Sequence, residues 1–205
     1  DIGTMKLIIM TKSTFFVEED KIISALFDVG MDILHLYKPR ALPMYSERLL
    51  TLLPDDCYEK VMVHEHFYLK EEYGLRGIHL DDVSQPVPEK FKGKISRTLG
   101  LEDITKEVKK RCDYIFLKDT FSALTPDGGA FITDRLQQAS DNGMIDKKTY
   151  AFGGVNLENI KLARELGFGG VVVDDDLWDK FDIHHQIDYK ELISHYERLA
   201  KAVKA

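Results

Sequence analysis

Eight short apolar runs alternate with stretches of helical periodicity along this chain, and no Asn-Gly turn joins two alternating strands. The runs are residues 6–11 (KLIIMT), 33–36, 61–63, 77–80 (GIHL), 94–98, 114–118, 150–152 and 170–173. Continuous apolar runs of this length fit strands covered on both faces, and such strands lie in parallel sheets whose neighbours are joined by helical crossovers. Eight of them close most naturally into an α/β architecture, the (β/α)8 TIM barrel, while an open doubly wound sheet shares the pattern.

The intervening periodicity predicts helices over residues 18–29, 46–53, 67–73, 101–110, 131–142 and 188–203, with another opened by Asn156. Residues 83–93 hold prolines, glycine and little periodicity, so the helix after strand four is expected to be short or missing. At 205 residues and 44% hydrophobic content the chain can bury one substantial core, and a single domain over 1–205 is expected. Asp1 to Thr4 carry no pattern, which makes Met5 the expected natural start.

The net charge of -7 is spread without a basic run, which argues against nucleic acid or an anionic membrane surface as partner. No apolar run approaches the roughly 18 residues that span a bilayer. Cys57 and Cys112 lack metal-type spacing and read as reduced thiols, in keeping with a cytoplasmic protein. A homodimer is expected only because two-fold dimers are the commonest assembly.

Residues 149–173 form one strand, a Gly153-Gly154 turn, a helix and a second strand. Glycines let backbone approach a ligand closely, and a following helix start offers unpaired N–H groups, an arrangement suited to phosphate. Such a pair also serves as a plain tight turn. In a barrel the residues after each strand ring one mouth, and here they are Thr11 and Lys12, Lys38 and Arg40, His64 and Glu65, Asp81 and Asp82, Thr98, Lys118 and Asp119, Gly153 and Gly154, and Asp174 to Asp176. Any one of them is polar simply because loops face water; together they suit small phosphorylated metabolites partly neutralised by Mg²⁺. His79, within GIHL, reads as a hydrogen-bonded core histidine, and His66, His184 and His185 as surface.

HLYKPR after strand two, VHEHF after strand three, GIHL, the long loop after strand six and AFGGV after strand seven together resemble the thiamine phosphate synthase and TenI superfamily, from residue 6 to about Trp178. The resemblance implies a barrel that binds hydroxymethylpyrimidine diphosphate and thiazole phosphate, with Mg²⁺ helping diphosphate leave. Residue by residue it assigns substrate binding to His35, Lys38, Arg40, His64, Thr125, Gly153 and Gly154, catalytic roles to Lys38 and Thr98, and Mg²⁺ to Glu65 with Asp81 or Asp82.

Several positions depart from that family's pattern. Tyr37 and Pro39 stand where it has arginine and lysine, unless Lys38 and Arg40 replace them, and His64-Glu65 stands for its Asn-Asp pair. The segment Thr98-Leu99-Gly100 lacks the expected histidine, and the run Ser122 to Pro126 lacks a diphosphate-binding lysine. Loss of one charge-assisted hydrogen bond weakens binding by about 1.5 to 3 kcal/mol. Two functions are therefore expected: a thiamine phosphate synthase, or a TenI-like paralogue that binds or acts on a thiazole phosphate without synthase activity. A barrel serving only as an assembly module is a third.

Overall fold

The computed structural model describes residues 4–122 and 133–205. Eight parallel strands close in chain order: β1 (Lys6–Met10), β2 (Ile33–Leu36), β3 (Val61–Val63), β4 (Gly77–Leu80), β5 (Lys94–Leu99), β6 (Tyr114–Leu117), β7 (Thr149–Ala151) and β8 (Gly170–Val173). Pairing of β1 with β8, Lys6 opposite Gly170 through Ile9 opposite Val173, closes the cylinder. The (β/α)8 barrel expected from the sequence is the observed fold.

Alternation along each strand divides the apolar residues into two cores. Ile8, Met10, Ile33, Met62, Tyr114, Phe116, Tyr150 and Val172 fill the cylinder. Their neighbours Ile9, Leu34, Leu36, Val63, Ile78, Leu80, Val171 and Val173 pack outward under the helices.

The helices are α1 (Glu19–Asp28), α2 (Pro43–Leu52), α3 (Leu69–Tyr73), α4 (Lys106–Lys110), α5 (Asp134–Asp141), α6 (Ile160–Leu166), α7 (Asp175–Trp178) and α8 (Lys190–Lys204). Helix α2 starts ahead of residue 46 because Pro43 occupies its first turn, where a missing N–H costs nothing. The helix expected over 101–110 divides into a 3₁₀ turn, Leu101–Asp103, and α4, whose start is fixed by the Thr105 hydroxyl accepting from Val108 N–H at 3.1 Å. Asn156 and Asn159 each accept the other's backbone N–H at 2.9 Å, so Asn156 caps a turn that precedes α6.

No helix separates β4 from β5, as expected. Arg97 instead holds that connection down, its Nη1 donating to the carbonyls of Asp82 and Gln85 at 2.7 Å. Helix α7 was not foreseen; it brings Trp178 under the rim, where the indole N–H donates to Met10 O at 2.7 Å. Among the described residues no helix is long and apolar enough to cross a membrane.

Candidate active site

Side chains that point inward near the strand C-termini set the floor of the mouth. His35, His64 and His79 meet there, at most 4% exposed. His35 Nδ1 lies 2.8 Å from His64 Nε2, and His35 Nε2 lies 2.7 Å from the Tyr114 hydroxyl. His79 places Nδ1 2.7 Å from Ser96 Oγ and Nε2 2.7 Å from Thr98 Oγ1. Burial, with mutual repulsion added, drives His35 and His79 well below the ordinary imidazole range, and burial lowers His64 against the pull of Asp81. His79 is thus a hydrogen-bonded interior histidine, held between Ser96 and Thr98 of β5.

Above this floor the rim carries carboxylates. One oxygen of Glu65 accepts from Lys38 N–H at 3.3 Å, while the other, Oε1, is buried and unpaired among the described residues. Burial raises Glu65 to about 7, and the charge of Asp81 adds to the rise. Asp81 lies with Oδ1 3.7 Å from His64 Nδ1. The phenol of Tyr37 is raised by partial burial and by the charges of Asp81 and Glu65, and Arg40, exposed, opposes that rise.

Two expected site residues are engaged elsewhere. Lys38 points out of the barrel: its ammonium pairs with Glu19 at 2.5 Å, donates to Thr14 O at 2.8 Å and sits over the Phe15 ring, with 0% side-chain exposure. Its expected contact with diphosphate gives way to this buried pair. Asp82 folds back on its own turn, one oxygen accepting from Ser84 N–H, Ser84 O–H and Gln85 N–H at 2.8, 2.6 and 2.9 Å. The carboxylates Glu65, Asp81 and Asp82 do not gather as one donor set; His35, His64 and His79 are the group that does among the described residues. Strand period carries this information: counting by twos from inward His35 and His79 puts Tyr37 and Asp81 inside and Lys38 and Asp82 outside.

Gly153 and Gly154 both have left-handed backbone, φ 99° and 71°. A Cβ on Gly154 would sit 2.1 Å from Phe121 O, and one on Gly153 3.0 Å from Asp119 N. The pair therefore admits the protein's own β6 connection. That contact takes the Gly153 carbonyl, which accepts from Phe121 N–H at 2.8 Å; no described residue accepts from the Gly153 or Gly154 N–H. Thr125 lies outside the described residues. After β8, Asp174 Oδ1 accepts from Asp175 N–H, and Asp176 turns outward to His195 Nε2 at 2.7 Å, which removes one carboxylate from the mouth.

A solved structure described as thiamine phosphate pyrophosphorylase from Bacteroides thetaiotaomicron is 44% identical, covers 97% of this chain and 97% of its own, and superposes with a TM-score of 0.85. The chain belongs to the thiamine phosphate synthase family. A curated thiamine-phosphate synthase from Flavobacterium johnsoniae is 27% identical over 137 residues, 60% of this chain; the match spans 64% of that relative's length. The thiamine phosphate pyrophosphorylase of Pyrococcus furiosus, 16% identical with a TM-score of 0.73 over 98% of this chain and 96% of its own, shares the fold. No family model matches the sequence. Membership in the thiamine phosphate synthase family joins the chain to thiamine biosynthesis and to transferases.

Proposed function

We infer that the protein joins hydroxymethylpyrimidine diphosphate to thiazole phosphate, releasing diphosphate and forming thiamine phosphate. The observation that carries this reading is the rim carboxylate of Glu65, half-buried, with one oxygen lacking a partner among the described residues and with Asp81 as its neighbour. Hard oxygen donors of this kind suit Mg²⁺, which is commonly held by one or two carboxylates and completed by substrate phosphate oxygens. Glu65 and Asp81 fit that role; Asp82 does not. Bound there, Mg²⁺ would neutralise charge on the departing diphosphate.

The chain's own residues supply the rest. Arg40, an exposed cation whose charge acts on Tyr37, would draw a diphosphate to the rim. Tyr37, its phenol held protonated, offers an O–H donor at the same edge. Thr98 shares a hydrogen bond with His79 Nε2 and would present its hydroxyl to a ligand from the end of β5. The N–H groups of Gly153 and Gly154, without an acceptor among the described residues, suit the phosphate of the thiazole. Purified protein incubated with Mg²⁺ and both substrates is expected to release thiamine phosphate and diphosphate in equal amounts; absence of both products sinks this reading.

The burial of Lys38 against Glu19 favours a second reading. With that cation withdrawn, a TenI-like paralogue would bind thiazole phosphate through the glycine turn without catalysing the synthase reaction. Thermal stabilisation by thiazole phosphate in the absence of turnover distinguishes it from the first.

A further inference from the structure

The opposite end of the barrel, where the strands begin, carries a cavity of its own, about 450 Å³ in volume. Ile33, Tyr114 and Tyr150 of the inner core form its inner wall, so packed side chains separate it from the mouth. On this fold chemistry is done at the strand C-termini, and the residues at the N-termini serve stability. The charges gathered here do not suit that structural role.

Strand alternation explains how they arrive. Lys6, Lys60 and Lys94 each stand two residues ahead of an inward side chain, namely Ile8 on β1, Met62 on β3 and Ser96 on β5. All three are in phase with the inner face, and all three line the cavity. On β4 the position in that phase is Gly77, which contributes no side chain, and Arg76 beside it lines the cavity instead. The charge of Arg76 reaches the interior: it lowers His35 and opposes the rise that burial imposes on Tyr114 and Tyr150.

Arg76 is half-buried, and its Nε is buried without a partner among the described residues. A buried N–H that meets no acceptor costs stability until something supplies one. Asp32, Glu59 and Asp113 also line the cavity, yet among the described residues the one ion pair there joins Lys94 to Asp113, at 3.5 Å. Asp113 is engaged further by Ile95 N–H at 2.8 Å. Cations therefore outnumber carboxylates at this end, in a chain that holds 35 acidic and 28 basic residues. Tyr150, its phenol raised to about 12 by burial, remains an O–H donor on the same wall.

We propose that this cavity binds a small metabolite through an oxyanion, phosphate or carboxylate, held by the Arg76 guanidinium with Lys6 and Lys60 beside it. The planar fork of a guanidinium presents paired N–H donors that match two oxygens of such a group. Asp32 and Glu59 accept from hydroxyl or ammonium groups elsewhere on the ligand, for which the volume leaves room. The site is separate from the mouth and does not depend on the reaction carried out there.

The test uses the whole chain with nitrogen-15-labelled arginine, the Arg76 Nε–H signal being identified by its absence from Arg76→Gln, or from Arg76→Lys should the first variant not fold. Inorganic phosphate and succinate are titrated separately, against sodium chloride at equal ionic strength. One or both are expected to shift that signal saturably, with a dissociation constant on the order of 1 mM, while chloride leaves it in place. The arm that responds identifies the source, a phosphorylated ligand or a carboxylate. Tyr150 ring signals are expected to move with the anion in wild type and to stay still in the Arg76 variant. Lys6→Gln, at an exposed position on β1, is expected to weaken binding about threefold. Arg40→Ala, at the far rim, is expected to leave the titration of Arg76 unchanged. No saturable shift with either anion, an equal shift in chloride, a Tyr150 response that survives loss of Arg76, unchanged affinity in Lys6→Gln, or loss of the titration in Arg40→Ala overturns the proposal. Absence of thiamine phosphate formation sinks the synthase reading alone and leaves this site standing.

Discussion

Glu65→Gln separates the electrostatic cost of the rim from its packing. Glu65 is raised from 4.5 to about 7 by burial, with Asp81 adding to the shift. Between those values the folded protein keeps a proton that the unfolded chain has lost. Its contribution to stability is therefore complete below about 4.5 and is lost as pH rises through about 7. The full shift corresponds to about 3 kcal/mol, and contact with water at the rim roughly halves this to about 1.5 kcal/mol. Glutamine keeps an oxygen for Lys38 N–H and carries no charge at any pH. Comparing the two proteins at about pH 5 and about pH 8 cancels the effect of the new amide on packing. Without Mg²⁺ and with a chelator present, wild type is expected to lose about 1.5 kcal/mol more than Glu65→Gln between these conditions, about 3 to 6 °C in relative melting temperature for a chain of this size. Urea titrations followed by circular dichroism at both pH values give the free energies directly. Parallel pH dependences for the two proteins would refute the assignment of a strained carboxylate to this rim.

Lys38→Ala strands Glu19 in the apolar layer and is expected to cost about 3–5 kcal/mol in urea unfolding, whereas the pair Lys38→Met with Glu19→Leu recovers most of it; an unchanged midpoint for the single variant would return Lys38 to the list of free cations. Gly154→Ala places a methyl against Phe121 O in left-handed backbone; a loss of about 2–3 kcal/mol is expected, read by thermal melts. Arg40→Ala is expected to raise KM for the diphosphate substrate about tenfold or more, as loss of about 1.5–3 kcal/mol implies, with little change in melting temperature. Equal KM values in steady-state assays would remove Arg40 from the rim.

The barrel was legible because its strands are short, apolar on both faces and separated by helical spacing, and even the bare β4–β5 connection follows from prolines and glycines. Helix boundaries were less so: Pro43 and Thr105 act through first-turn N–H groups, an effect weaker than the apolar periodicity that drew attention to residues 46 and 101. The rim was legible as a collection of polar residues but not as a set of contacts. Lys38 and Asp82 looked available because they follow strands; strand alternation, applied strictly, would have turned both outward. Thr98 appeared to lack an imidazole because the one beside it comes from β4. Links among His35, His64, His79, Ser96 and Tyr114 join residues on different strands and exist only once the cylinder closes.

The docking of residues 119–122 onto the glycine turn has an evolutionary corollary. Thr120 and Phe121 donate to the carbonyls of Phe152 and Gly153 at 2.9 and 2.8 Å, continuing the β6–β7 ladder beyond the strands themselves. Insertion or deletion in one connection shifts its partner's hydrogen bonds by a residue, so a change in one segment calls for a matching change in the other. Across relatives, a bulkier residue at 153 or 154 should coincide with a changed length or path of the segment that meets it, and ligand preference at this sector of the barrel should diversify by paired replacements.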